Sequence, residues 1–243
     1  MASKANGPAT PEQIAEQFDE QFDEAIAVRV AGLAHQRAGD QRKAMACFAS
    51  ARETLVHLGL QAQVAWTLQN EGLVLELLGR PDEALARFTG AEALFRAADE
   101  RQGWPLMFRR RGDLLRRQGR YDEALAQYDA ALAQHRLDDD ANGIINTLSS
   151  RAESDLARND VQRARSDLQG ALAHLRNLPR RAGEHDFLLF ARIARTEAAL
   201  GNRELAREHA TQAHDLAREL QLDQDRGSPD VAENLRRLVE LER

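Results

Sequence analysis

Gly79-Arg80-Pro81-Asp82-Glu83-Ala84-Leu85 decides the fold, because 40 residues later the chain reads Gly119-Arg120-Tyr121-Asp122-Glu123-Ala124-Leu125. Glycine ends a helix at low cost because it adopts the left-handed cap conformation. Pro81 then suits a first helical position, and the acids that follow suit the positive end of a helix dipole. Working outward, Gly39 lies 40 residues before Gly79, Asn159 lies 40 after Gly119, and Gly201 follows after 42. Asn is the usual substitute at a left-handed cap, so the one departure obeys the same mechanism. After each turn an alanine recurs at one offset: Ala44, Ala84, Ala124, Ala164 and Ala206.

More columns keep this register. A small residue stands seven before each turn: Gly32, Gly72, Gly112 and Ala152, with Ala194 at the fifth. Four after each alanine comes a bulky residue, Phe48, Phe88, Tyr128 and Leu168, and only Ala210 breaks the column. Three further on stand Ala51, Ala91, Ala131, Ala171 and Ala213. Spacings of three and four keep each set on one helical face. The chain is therefore predicted to be a stack of helical hairpins, which presents a surface rather than a catalytic pocket.

These residues resemble the tetratricopeptide repeat. The likeness is strongest in Gly72 to Ala91 and in Gly112 to Ala131, and it runs in degenerate form over residues 25–220. The period exceeds the usual repeat of about 34 residues. The proline after the second helix and the tryptophan near the start of the first are missing. Such longer helices resemble the subclass found in kinesin light chains, Pins-type spindle adaptors and bacterial regulators related to MalT. The resemblance implies an all-α, right-handed α-solenoid of about five hairpins that binds extended peptides or regulatory partners on its inner face.

The predicted units lie near 25–58, 65–98, 105–138, 145–178 and 187–220. Residues 1–9 read as a small, polar, disordered tail. Residues 10–24 read as a helical extension capped by Thr10 and Pro11, with Ile14, Phe18 and Phe22 on one side. Residues 229–242 read as a C-terminal capping helix, which a stack needs to cover its last apolar face.

Composition narrows the function classes. Aromatic residues make up only 5% of the chain, so the core must be built mainly from Ala and Leu. The formal net charge of −6 argues against general nucleic-acid binding. Lys4 and Lys43 are the only lysines, which leaves 31 of the 33 basic residues as Arg. A single Cys47 precludes an internal disulfide or a cysteine metal cluster. With neither a secretory signal nor an 18-residue apolar run in view, a cytoplasmic location away from membranes is expected.

The groove follows by subtraction. In each first helix, the stripe opposite the small column should line the inner face. The stripes are Ile26, Val30, Leu33, Arg37; then Trp66, Asn70, Leu73, Leu77; then Leu106, Arg110, Asp113, Arg117. Asn146, Ser150, Glu153, Ala157 and finally Leu188, Arg192, Arg195, Ala199 complete the set. The groove thus changes from apolar to Arg-rich, with Arg109 and Arg116 flanking the third stripe. Trp66, Leu73 and Leu77 would anchor a partner, and Asn70 would bond its backbone, as asparagines on this helix do in the resembled families. Leu106, Arg109, Arg110, Asp113, Arg116, Arg117, Ser150, Arg192 and Arg195 would form the polar part. Arg forks grip carboxylates in two-point contacts, so an acidic and apolar segment is the expected ligand.

The bland readings stand beside this one. Val30, Leu33, Leu73 and Leu77 read equally well as inter-repeat core, and the Arg run as a solvated face exchanging weak ion pairs with Glu153 and Asp155. A self-associating, homodimeric scaffold using the apolar N-terminal half is the alternative function, and a nucleic-acid-associated regulator ranks below both. No metal-protease signature, phosphate loop or nucleophile elbow occurs. No enzyme activity, cofactor, metal or small-molecule substrate is therefore expected. Asp138-Asp139-Asp140 reads as a solvated turn.

Overall fold

In a computed structural model the patterns become helices α1 (Pro11–Arg37), α2 (Gln41–His57), α3 (Gln61–Leu77), α4 (Pro81–Ala97) and α5 (Gly103–Arg117). They continue as α6 (Tyr121–Leu137), α7 (Ala141–Ala157), α8 (Val161–Arg176), α9 (Glu184–Ala199) and α10 (Arg203–Glu219). The structure describes residues 10–178 and 183–222, together with residues 231, 234 and 236–238, which are helical. The predicted tail at 1–9 and most of the predicted capping helix at 229–242 lie outside the described residues. Among the described residues there is no strand.

Successive helices pair as hairpins, α1 with α2 through α9 with α10, and each hairpin packs on the next. The odd-numbered helices also touch along the stack: α1 on α3, α3 on α5, α5 on α7 and α7 on α9. That contact makes them the inner layer of an all-α solenoid.

The turns explain the 40-residue ladder. Gly39, Gly79, Gly119 and Gly201 have φ of 80°, 70°, 76° and 81°, and Asn159 has 63°. At each turn an amide reaches back to close the helix end, as in Asp40 N to His35 O at 2.9 Å and Asp160 N to Asp155 O at 2.8 Å. A second left-handed ladder connects hairpin to hairpin through Gly59, Asp99 and Asp139. Two of its three members are Asp, which tolerates this backbone less readily than Gly, so sequence shows it poorly. The acidic turn at 138–140 is thus a cap: Asp140 accepts the Gly143 amide at 2.9 Å.

Inside each hairpin the small and bulky columns meet. A Cβ on Gly32 or on Gly112 would stand 2.6 Å from the ring of Phe48 or Tyr128. Gly72 meets Phe88 in the same way. Phe48, Phe88 and Tyr128 are fully buried, each worth roughly 2–3 kcal/mol relative to exposure. Hairpin four makes the same contact with Ala152 and Leu168, both buried.

A buried polar seam ties neighbouring hairpins. Glu71 on α3 receives Arg52 from α2 and Arg87 from α4, each at 2.7 Å. Forty residues on, Arg111 takes Glu92 at 2.5 Å and Gln127 at 3.0 Å. Another 40 on, Arg151 takes Asp129 at 2.5 Å and Asp167 at 2.7 Å. The central group inverts from Glu to Arg, and its partners change from two arginines to Glu92 and Gln127 and then to two aspartates.

The N-terminal extension is part of α1, capped by Thr10 with a reciprocal Gln13 contact. Phe22 packs with Ala25, Leu55 and Val64, whereas Phe18 stays 38% exposed. α1 runs unbroken from Pro11 to Arg37, so the extension continues the axis of the first inner helix. The Ile14 side chain lies outside the described residues.

Candidate functional site

The inner helices carry every residue expected to bind, but the structure sorts them into three groups. Trp66, Leu73 and Leu106 are half-buried and pack on the Phe88, Phe95 and Met107 cluster. Trp66 meets Phe95 edge-on, with ring centroids 4.8 Å apart. Asn70 is buried and Leu77 is half-buried beside them on α3. Their exposed edges form an apolar N-terminal wall.

Arg109 and Asp113 are the second group, drawn away from the groove. Asp113 accepts the Tyr128 hydroxyl at 2.9 Å, and Arg109 Nη1 donates to the same carboxylate at 3.2 Å. The physical reason is that Tyr128 is buried and its hydroxyl needs an internal acceptor. Wheel geometry alone put Asp113 on the inner stripe, whereas the tyrosine claims it for the hairpin core. Ser150, also expected at the groove, is buried at 2% exposure.

The third group is assembled around one carboxylate. Glu153 on α7 is 3% exposed. It receives Arg195 at 2.6 Å and Arg192 at 3.2 Å, both from α9, and Arg237 at 3.6 Å. Arg192 also donates to Ser149 Oγ at 2.7 Å, and Arg195 to Asn234 Oδ1 at 3.3 Å. Burial by itself pushes the Glu153 carboxyl up, but Arg195, Arg192, Arg116 and Arg237 outweigh it and hold it below the usual carboxylate range. Burial also lowers the Arg195 guanidinium from its ordinary value.

Above Glu153 opens a cavity of about 310 Å³, lined by Arg116, Arg117, Tyr121, Glu153, Leu156, Ala157, Arg195 and Arg237. Four guanidinium groups border one carboxylate, so the cavity is cationic inside an acidic protein. Arg117 also reaches across to Glu76 on α3. Arg110, half-buried about two helical turns before Arg117 on α5, makes no ion pair among the described residues, and its Nε has no hydrogen-bond partner.

Sequence reasoning missed Arg237, Tyr121 and Leu156 as lining residues. Arg237 belongs to the C-terminal segment, whose approach to α7 no repeat column announces. The signal for Glu153 was present, since it occupies the inner stripe one repeat after Asp113. Among the described residues no group of three His, Cys, Asp or Glu side chains is placed to hold a metal ion. No helix among them is long and apolar enough to cross a membrane.

Comparison with known proteins agrees with this geometry. A tetratricopeptide repeat family model matches residues 105–177, which are hairpins three and four. The likeness to that family is carried by residues 105–177, and helical hairpins of the same kind continue on either side of them in the described stack. The Rap conjugation gene regulator of plasmid pLS20, solved in complex with a peptide, superposes with a TM-score of 0.72 at 15% identity. That match covers 98% of this chain and 69% of the regulator. BtubC from P. vanneervenii gives 0.65 at 17% identity, covering 88% of this chain and 92% of that one. The apo quorum sensor NprR from B. thuringiensis gives 0.65 at 14% identity, covering 95% and 62%. At these identities the likeness is one of fold. A search of curated protein sequences returns no match.

Proposed function

We propose that the chain is a protein-interaction module that acts by binding, not catalysis, and takes an acidic, partly apolar segment of a partner into its inner groove. The observation that carries this reading is the cationic cavity around Glu153. A net-acidic protein that concentrates guanidinium groups in one concave place has built a local field for an anionic ligand. Arginine suits that task because its planar fork matches a carboxylate in two-point contact.

The apolar wall on α3 supplies the second half of the ligand's description. Trp66, Leu73 and Leu77 are half-buried, so each retains surface that a partner could cover. Large aromatic and arginine side chains are the types that dominate binding energy at protein interfaces. The peptide held by the Rap regulator supports the same use of this fold.

Fluorescence anisotropy with a labelled helical peptide of alternating Glu and Leu tests the reading. Arg110→Glu combined with Arg117→Glu is expected to weaken binding by more than about tenfold at physiological salt. A peptide with Lys in place of Glu is expected not to bind. Equal affinity of the double variant and the unaltered chain would remove the arginine groove from the account.

A further inference from the structure

The first helix carries the chemistry that the proposed groove selects. Between residues 11 and 24 it holds Glu12, Glu16, Asp19, Glu20, Asp23 and Glu24 and no basic residue. Glu12, Glu16, Asp19 and Asp23 follow the three- and four-residue spacing of a single helical face, and all four are exposed. None of the six makes an ion pair among the described residues, although ion pairs are dense elsewhere in the stack.

This segment is also left over by the architecture. α1 has 27 residues where α2, α3 and α4 each have 17, so its first ten overhang the hairpin by about 15 Å. Acids four apart on a helix repel one another, and here Glu12 and Glu16, Glu16 and Glu20, Asp19 and Asp23 do so without a compensating cation. The overhang cannot reach its own cavity. α1 is unbroken, and the cavity is walled by α5, α7 and α9 further along the stack.

Resting on the groove reading above, we infer that the acidic face of α1 docks in the arginine-lined groove of a second copy, giving head-to-tail self-association. Carboxylates from one chain meet Arg110, Arg117, Arg195 and Arg237 of the next. The exposed edge of Phe18 meets the apolar wall beside them. The two surfaces differ, so the contact is heterologous: it leaves one free helix and one free groove and can grow into longer assemblies or close into a ring. The attraction is electrostatic between exposed groups, so salt weakens it.

Sedimentation velocity of the full chain tests this. The unaltered chain is expected to gain mass with concentration at low salt and to lose it as salt is raised. Glu16→Lys with Asp19→Lys, on an exposed face that contributes nothing to the core, should be monomeric. Arg117→Gln with Arg237→Gln should be monomeric as well. An equimolar mixture of these two variants should form a dimer that grows no further, because one intact helix meets one intact groove. A monomeric unaltered chain at all concentrations, undiminished association of the helix variant, or a mixture that stays monomeric would each overturn the inference. The Glu and Leu peptide titrated onto the helix variant separates the two ideas. Its binding there leaves the groove reading standing when self-association fails, and its failure to bind removes both.

Discussion

Gly32 and Phe48 share one space: a Cβ on Gly32 would stand 2.6 Å from the ring edge. In a helix interior, Gly→Ala ordinarily adds up to about 1 kcal/mol of stability. Here the added methyl meets a fully buried ring, and overpacking of this kind costs about 1–3 kcal/mol. Gly32→Ala is therefore expected to lower the melting temperature. Combining it with Phe48→Leu reproduces the Ala152 and Leu168 pair of hairpin four, so the double variant should lose less than the sum of the singles. Thermal melts of the four chains measure that coupling.

Glu153→Gln removes the carboxylate that gathers Arg192, Arg195 and Arg237. Leaving buried guanidinium groups without their anion is expected to cost about 3–5 kcal/mol. Inorganic phosphate should restore part of the melting temperature in this variant by supplying the missing negative charge. An unaltered melting temperature would show that the arginines do not depend on Glu153.

Asp155, two residues after Glu153 on α7, is 1% exposed, and burial pushes its carboxyl up to about 6. Asp167 and Asp160 push the same way, while Arg163, 3.7 Å away, and Arg151 oppose them. A raised carboxyl contributes stability that is present below its unfolded value near 3.8 and lost as pH rises through about 6. Asp155→Asn should flatten that part of the stability profile and raise stability at pH 7 by up to about 3 kcal/mol. Glu153 acts in the opposite sense, since its lowered carboxyl gives stability that is lost as pH falls. Comparing melts of Asp155→Asn and the unaltered chain from pH 4 to pH 7 isolates the Asp155 contribution.

The ladder of turns and the small and bulky columns were legible because they obey local rules. Only residues that tolerate a left-handed backbone can end these helices, and only a missing Cβ admits Phe48, Phe88 or Tyr128. The second ladder was hidden because Asp99 and Asp139 occupy it in place of glycine. The stripe rule placed residues on the inner layer but ignored hydrogen-bond demand, and so could not foresee that Tyr128 would claim Asp113. Arg237 joins the cavity through a contact between segments far apart in sequence, which no periodicity records. The arginine count was visible from the start. Which arginines are consumed by the seam and which gather round Glu153 depends on packing between hairpins.

The central claim is that the inner layer receives the ligand, and hydrogen–deuterium exchange of the full chain with and without the Glu and Leu peptide tests it most directly. Slowed exchange confined to α3, α5, α7 and α9, strongest near Arg117 and Arg195, is the expected result. Protection on the outer helices α4, α6 and α8 with the inner layer unchanged would contradict it.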